Sequence, residues 1–162
     1  MFDDELEKLE DRFLYNCDEK ELLSIFEENE KILAQDNKNL RALYLKQKIL
    51  LEQKEYQKLL KVGEFVLSFD SNNIDVYGFK AQTMLELGQY EEAIAICRFI
   101  MNREPLNYEA AQIWEEAYQH SGNELLPKPP KLPLPKGIII ERIVFLIIFI
   151  FIALILIKFL LK

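Results

Sequence analysis

Apolar residues recur every three to four positions through most of residues 1–122. That is the period of a helix with one buried face. Leu22, Ile25, Phe26, Ile32 and Leu33 make one stripe, and Ile94, Cys97, Ile100 and Met101 make another. The pattern predicts helices near 3–15, 18–35, 39–53, 55–69, 73–87, 90–103 and 107–121. Asp18 with Glu21 fits a capping box, and Asn73 and Asn107 fit N-caps. Glycine and proline are scarce, at 5 and 6 residues, and five of the prolines fall between Pro127 and Pro135. Elsewhere the chain therefore favours helices joined by short connections.

Beyond Gly122 the pattern changes twice. Residues 123–137 are rich in proline, which removes amide donors and fixes φ, so an extended polyproline II linker is expected there. Pro127, Pro130 and Pro133 also fit P-x-x-P spacing, a Src-homology-3 ligand pattern that any proline-rich spacer produces; the spacer reading is preferred. Residues 138–161 are then apolar on every face, broken only by Glu141, Arg142 and Lys158. At about 1.5 Å per residue this run covers roughly 36 Å, enough for a hydrocarbon core of about 30 Å. A single transmembrane helix is expected, and with four residues after Lys158 a tail-anchored one. Ala153 is the only small residue in the uninterrupted stretch from Ile143 to Ile157, so no small-residue dimer seam is expected.

Charge follows the same division. The net −7 splits into −11 over residues 1–122 (14 Lys/Arg, 25 Asp/Glu) and +4 over residues 123–162 (6 against 2). An acidic helical part repels phosphate, which argues against nucleic acid as a partner. Lys128, Lys131, Lys136 and Arg142 make a basic strip beside the apolar run, suited to membrane lipid and to a cytoplasmic N-terminal domain. The opening Met1-Phe-Asp-Asp-Glu-Leu-Glu has neither the basic nor the apolar region of a signal peptide.

Comparing the chain with itself exposes a repeat. Lys46 matches Lys80, Leu51 matches Leu85, Glu52 matches Glu86, Tyr56 matches Tyr90, Phe65 matches Phe99 and Asn73 matches Asn107, each 34 residues apart. A fainter third copy ends in Asp36-Asn-Lys-Asn39, one period before Asp70-Ser-Asn-Asn73. Spacing and residues together resemble the tetratricopeptide repeat family. The clearest copy is Ile74–Asn107: Tyr77 at the aromatic position, Ala81 and Ala93 at the small pair, Gly88 at the turn, then Tyr90 and Pro105. The second copy departs from it, with Gln47 and Leu59 at the small pair and Lys54 at the turn, and Leu6–Asn39 keeps mainly its second helix. The fold implied is all-α: about three helix-turn-helix repeats over residues 1–122, with 107–121 as the closing helix.

Little catalytic chemistry can be assembled. His120 is the only histidine, and it sits near an expected helix C-terminus, where a cation is favoured. Cys17 and Cys97 lie far apart and read as reduced thiols, Cys97 in the core. No glycine-rich phosphate loop or metal-ligand spacing occurs. The expectation is a protein that is not an enzyme, with no cofactor and no metal site.

The resemblance implies a binding surface instead. In that family the first helices of successive repeats line a groove for a partner's peptide segment or helix. On this chain the groove positions would be Arg41, Tyr44, Lys48, Leu51 and Glu52, then Asp75, Gly78, Gln82, Leu85 and Glu86, continued by Glu109, Gln112 and Glu116. Such a groove would be basic at one end and acidic at the other. The family's carboxylate clamp is not implied, because Asp75, Gln82 and Glu86 occupy half of that surface. The expected function is a membrane-anchored adaptor or assembly chaperone for a protein partner; the alternative is a structural accessory subunit of a membrane machine. Repeats followed by an anchor also resemble the mitochondrial fission adaptor family, although that anchor is glycine-rich and this one is rich in Ile, Phe and Leu. A bacterial plasma membrane or a eukaryotic organelle membrane fits this design.

Overall fold

A computed structural model describes residues 2–15 and 18–133 of the chain. Within them lie seven helices: α1 Asp3–Tyr15, α2 Glu19–Gln35, α3 Leu40–Glu52, α4 Tyr56–Phe69, α5 Ile74–Glu86, α6 Tyr90–Met101 and α7 Tyr108–Ser121. All seven match the expected helices, with ends shifted by two residues at most. Each packs on the next, and a second set of contacts joins α1 to α3, α3 to α5 and α5 to α7. The backbones of α2, α4 and α6 stay apart, with no Cα atoms within 8 Å of one another. Odd-numbered helices therefore form one row and even-numbered helices back it, the layout of an all-α, tetratricopeptide-like stack.

Helix ends repeat with the sequence. Asn39, Asn73 and Asn107 precede α3, α5 and α7, and their side-chain oxygens accept from the amides of Ala42 (3.1 Å), Val76 (3.2 Å) and Ala110 (2.8 Å). Each satisfies one amide left unpaired at a helix start. The Asn73 amide donates to Asp70 Oδ2 at 2.7 Å, and that of Asn107 to Glu104 Oε2 at 2.8 Å. Asp18 caps α2 by accepting from Glu21 N at 2.7 Å. Only this half of the expected capping box forms, because the Glu21 carboxylate is held by Arg12 Nε at 2.6 Å. Arg12 also binds Glu28 at 2.9 Å and so fastens α1 to α2.

Inside the repeats, α3 and α5 end alike. Gln89 N donates to Met84 O (2.8 Å) and Gly88 N to Leu85 O (3.0 Å), while Glu55 N donates to Leu50 O and Lys54 N to Leu51 O, both 2.9 Å. This double closure needs a left-handed residue. Gly88 supplies it at φ 72°, and Lys54 is forced into it at φ 57°.

Two apolar clusters hold the stack. One runs from Leu6 and Leu9 through Ile25, Ile32 and Ile49 to Val66 and Val76. The other gathers Ala81, Ala93, Ile94, Cys97, Ile100, Ile113 and Trp114. Ala81 and Ala93 are fully buried, so α5 and α6 have no side chain longer than a methyl at either position. Burial pushes the Cys97 thiol up to about 12, which leaves it protonated and inert. In the second repeat the small pair is absent, and the space appears elsewhere. Gly63 of α4 is buried, and a Cβ there would lie 3.1 Å from Val76 Cγ1 and 3.4 Å from Gln47 Oε1. Gln47 fits because Gly63 gives way, yet its fully buried amide finds no partner among the described residues at either the nitrogen or the oxygen.

The chain just beyond α7 stays with the helices, in a compact unit that runs to Pro129. Gly122 ends α7 in a left-handed conformation, after which Leu126 packs on the second cluster and Trp114 Nε1 donates to Pro127 O at 2.8 Å. A buried indole N–H requires an acceptor, and the returning chain provides one. A second unit, Pro130–Lys162, is described only over residues 130–133, which carry no regular secondary structure. The remaining linker to 137, the expected membrane helix at 138–161 and Cys17 lie outside the described residues. Among the described residues no helix is long and apolar enough to cross a membrane.

Two substitutions test this account. Lys54→Gly relieves the left-handed strain and is expected to stabilise the domain by about 1 kcal/mol, raising the thermal midpoint by roughly 2–6 °C. Gln47→Met removes the unpaired amide at similar shape and is expected to raise the urea midpoint by the equivalent of about 1 kcal/mol. An unchanged or lower midpoint would mean that the amide is satisfied after all.

Candidate partner-binding groove

The row of odd-numbered helices carries a hollow of about 480 Å³. Tyr44, Lys48 and Leu51 of α3 line one side; spaced by four and three residues, they share one helix face. Ile74, Asp75, Gly78 and Phe79 of α5 form the middle, with Asn107, Glu109 and Ala110 from the start of α7 opposite and Ile100 of α6 behind. A second hollow of about 240 Å³ is lined by Leu51, Glu52, Lys54, Tyr56, Gln82 and Glu86. Leu51 belongs to both, so the two hollows adjoin along α3 and α5.

The repeat itself explains where the larger hollow opens. Tyr44 and Gly78 occupy equivalent positions in successive repeats. Tyr44 reaches over the next helix start, and its hydroxyl donates to Asn73 Oδ1 at 2.7 Å. One period later the side chain is missing: a Cβ on Gly78 would meet nothing within 4 Å. Asn107 is left uncovered and lines the cavity. The glycine is thus what makes room there.

The two hollows bring together Tyr44, Lys48, Leu51, Glu52, Asp75, Gln82, Glu86 and Glu109 from the residues expected for the groove. Two of the expected groove residues are engaged elsewhere in the stack. Leu85 is 7% exposed and packs in the second cluster, because it falls on the inward face of α5. Arg41 is taken by α1: its Nη2 lies 2.6 Å from Glu10 Oε2 and its Nε donates to the same carboxylate at 3.0 Å. Those hydrogen bonds raise its pKa above the ordinary value. The expected basic end of the groove is therefore neutralised by a helix whose partner role the pattern did not reveal. Gln112 and Glu116 are exposed on α7 but line neither hollow.

Ile74, Phe79, Ile100, Asn107, Ala110, Lys54 and Tyr56 enter the lining without having been expected. Phe79 was the accessible omission: it follows Asp75 by one helical turn, and its ring lies 6.5 Å from that of Tyr44. The Glu86 carboxylate accepts from Tyr56 at 3.4 Å and Gln82 at 3.3 Å. His120, in the last turn of α7, stacks on Tyr90 at 6.1 Å between centroids, away from both hollows. Among the described residues, no group of three or more His, Cys, Asp or Glu is placed to hold a metal ion.

Burial, helped by the nearby Asp75 carboxylate and opposed by the bond to Asn73, pushes the Tyr44 hydroxyl up to about 12. In the unfolded chain it ionises near 10, so between pH 10 and 12 the folded state holds more protons. The stabilisation is complete below pH 10 and is lost as pH rises through 12. Tyr44→Phe is expected to make the fall in urea stability shallower over that window, while costing about 1 kcal/mol at neutral pH for the lost hydrogen bond. An unaltered alkaline slope would remove Tyr44 as its source.

No protein-family model and no curated protein sequence matches the chain. Among solved structures, one titled "MamA RS-1 ArsTM double mutant" superimposes with a TM-score of 0.59 at 17% identity. The match covers 72% of this chain and 64% of that one, so the chain spans a little under two thirds of its length. The likeness is one of fold, and it agrees with the all-helical, repeat-built, tetratricopeptide-like stack described above.

Proposed function

We propose that this chain is a membrane-anchored adaptor or assembly chaperone whose odd-numbered helices hold a segment of a protein partner at the cytoplasmic face. The hollow at Gly78 carries this reading. It is a half-apolar cleft on three helices, bordered by the charged side chains Lys48, Asp75 and Glu109, none of which is in a recorded ion pair. A rigid repeat stack presents such a surface without needing to rearrange. The apolar run 138–161 supports anchoring, and the basic strip before it supports a cytoplasmic orientation. Confinement to a membrane raises the effective concentration toward other membrane-bound proteins.

Gly78→Trp tests the groove, because it fills the cleft at a helix position with open space around it. The full chain and this variant would be expressed in cells, membranes collected, and complexes purified in mild detergent. The wild type is expected in the carbonate-resistant membrane pellet with a protein partner. The variant is expected in the same pellet at an unchanged or higher thermal midpoint, with the partner lost. Retention of the partner by Gly78→Trp would refute the groove. A fixed-ratio complex surviving high salt would favour the accessory-subunit reading, and recovery of the chain in the supernatant would refute the anchor.

A further inference from the structure

We infer that the groove selects a cationic segment carrying an apolar anchor: a lysine- or arginine-bearing stretch of another protein, as opposed to an acidic tail or a free carboxylate. This inference rests on the groove reading above and adds the chemistry of the occupant. Four carboxylates, Glu52, Asp75, Glu86 and Glu109, border the two hollows against two ammonium groups, Lys48 and Lys54. None of the six is in an ion pair among those the structure records. The cation that would have narrowed this excess, Arg41, is held by Glu10. Just beyond the hollows on α7, Gln112 and Glu116 add no positive charge.

A hollow between α2, α3 and α4, lined by Leu33, Leu43, Val62 and Phe65, has Lys46 and Lys61 at its edge, with Lys46 paired to Glu30 at 2.7 Å. An acidic segment would meet an energetic penalty at the groove, where the carboxylates outnumber the ammonium groups. Tyr44, Leu51, Ile74 and Phe79 supply the apolar walls of the larger hollow, which suit an aliphatic or aromatic anchor between cationic residues. A cation there can also lie against the rings of Tyr44 and Phe79.

The test uses the full chain in detergent with a short fluorescent lysine/leucine peptide and its glutamate/leucine counterpart, read by anisotropy. The proposal expects the cationic peptide to bind and the acidic one not to. It expects Asp75→Asn with Glu109→Gln to weaken binding about tenfold, the equivalent of roughly 1.4 kcal/mol. Glu27→Gln with Glu91→Gln removes equal charge from exposed positions off the groove, and is expected to change affinity by less than about twofold. Equal loss in both double variants would reduce the effect to net charge and overturn the proposal. Binding of the acidic peptide, or no binding of the cationic one, would also overturn it. If Gly78→Trp still released the cellular partner in those cases, the groove would stand and only its charge selectivity would fall.

Discussion

Asn73 sits where the stack and the groove are joined. Its side-chain oxygen accepts from the amide that starts α5 and from the Tyr44 hydroxyl of the preceding repeat, while its nitrogen donates to Asp70. The helix start, the turn before it and the neighbouring first helix are thus fixed by one amide group. Asparagine recurs at this position with a period of 34 residues, so each first helix begins at the same phase relative to the last. Constant phase is what lets α3, α5 and α7 share a face.

The groove arises from a departure within that periodicity. Where Tyr44 covers Asn73, Gly78 leaves Asn107 open, and the vacant volume becomes the larger hollow. Glycine inside a helix costs about 1 kcal/mol relative to alanine, a cost that a purely structural position would not require here, since the space could take a side chain. The second repeat shows the opposite relation. There Gln47 and Leu59 replace the small pair, and Gly63 restores the room that they remove, with an unpaired buried amide as the consequence. Lys54 is a related departure, holding a turn that glycine makes without strain in the next repeat.

At the α1–α2 end Glu10, Glu21 and Glu28 are engaged by Arg41 and Arg12. Glu52, Asp75, Glu86 and Glu109 lie outside the recorded ion pairs and border the groove. Binding through them would weaken with salt, as exposed charges do, whereas the apolar walls would hold an anchor independently of ionic strength. The membrane anchor proposed for residues 138–161 would keep this surface close to its partners whatever the affinity of a single encounter.

The helices themselves were legible in the chain, because apolar periodicity, asparagine caps and a turn glycine are local signals, and the repeat multiplies each of them. Tyr44, Lys48, Asp75 and Glu109 were assigned to one surface by the resemblance to tetratricopeptide repeats, and helical spacing explains only why residues of one helix share a face. What the sequence could not settle was competition for the same atoms. Arg41 reads as a groove cation until α1 brings Glu10 to it, and Leu85 reads as groove-facing until the turn of α5 buries it. The path of residues 123–127 is decided by the buried indole of Trp114, which finds its acceptor at Pro127. In each case the deciding contact joins residues separated by one or more turns of chain, and only tertiary packing determines which partner arrives.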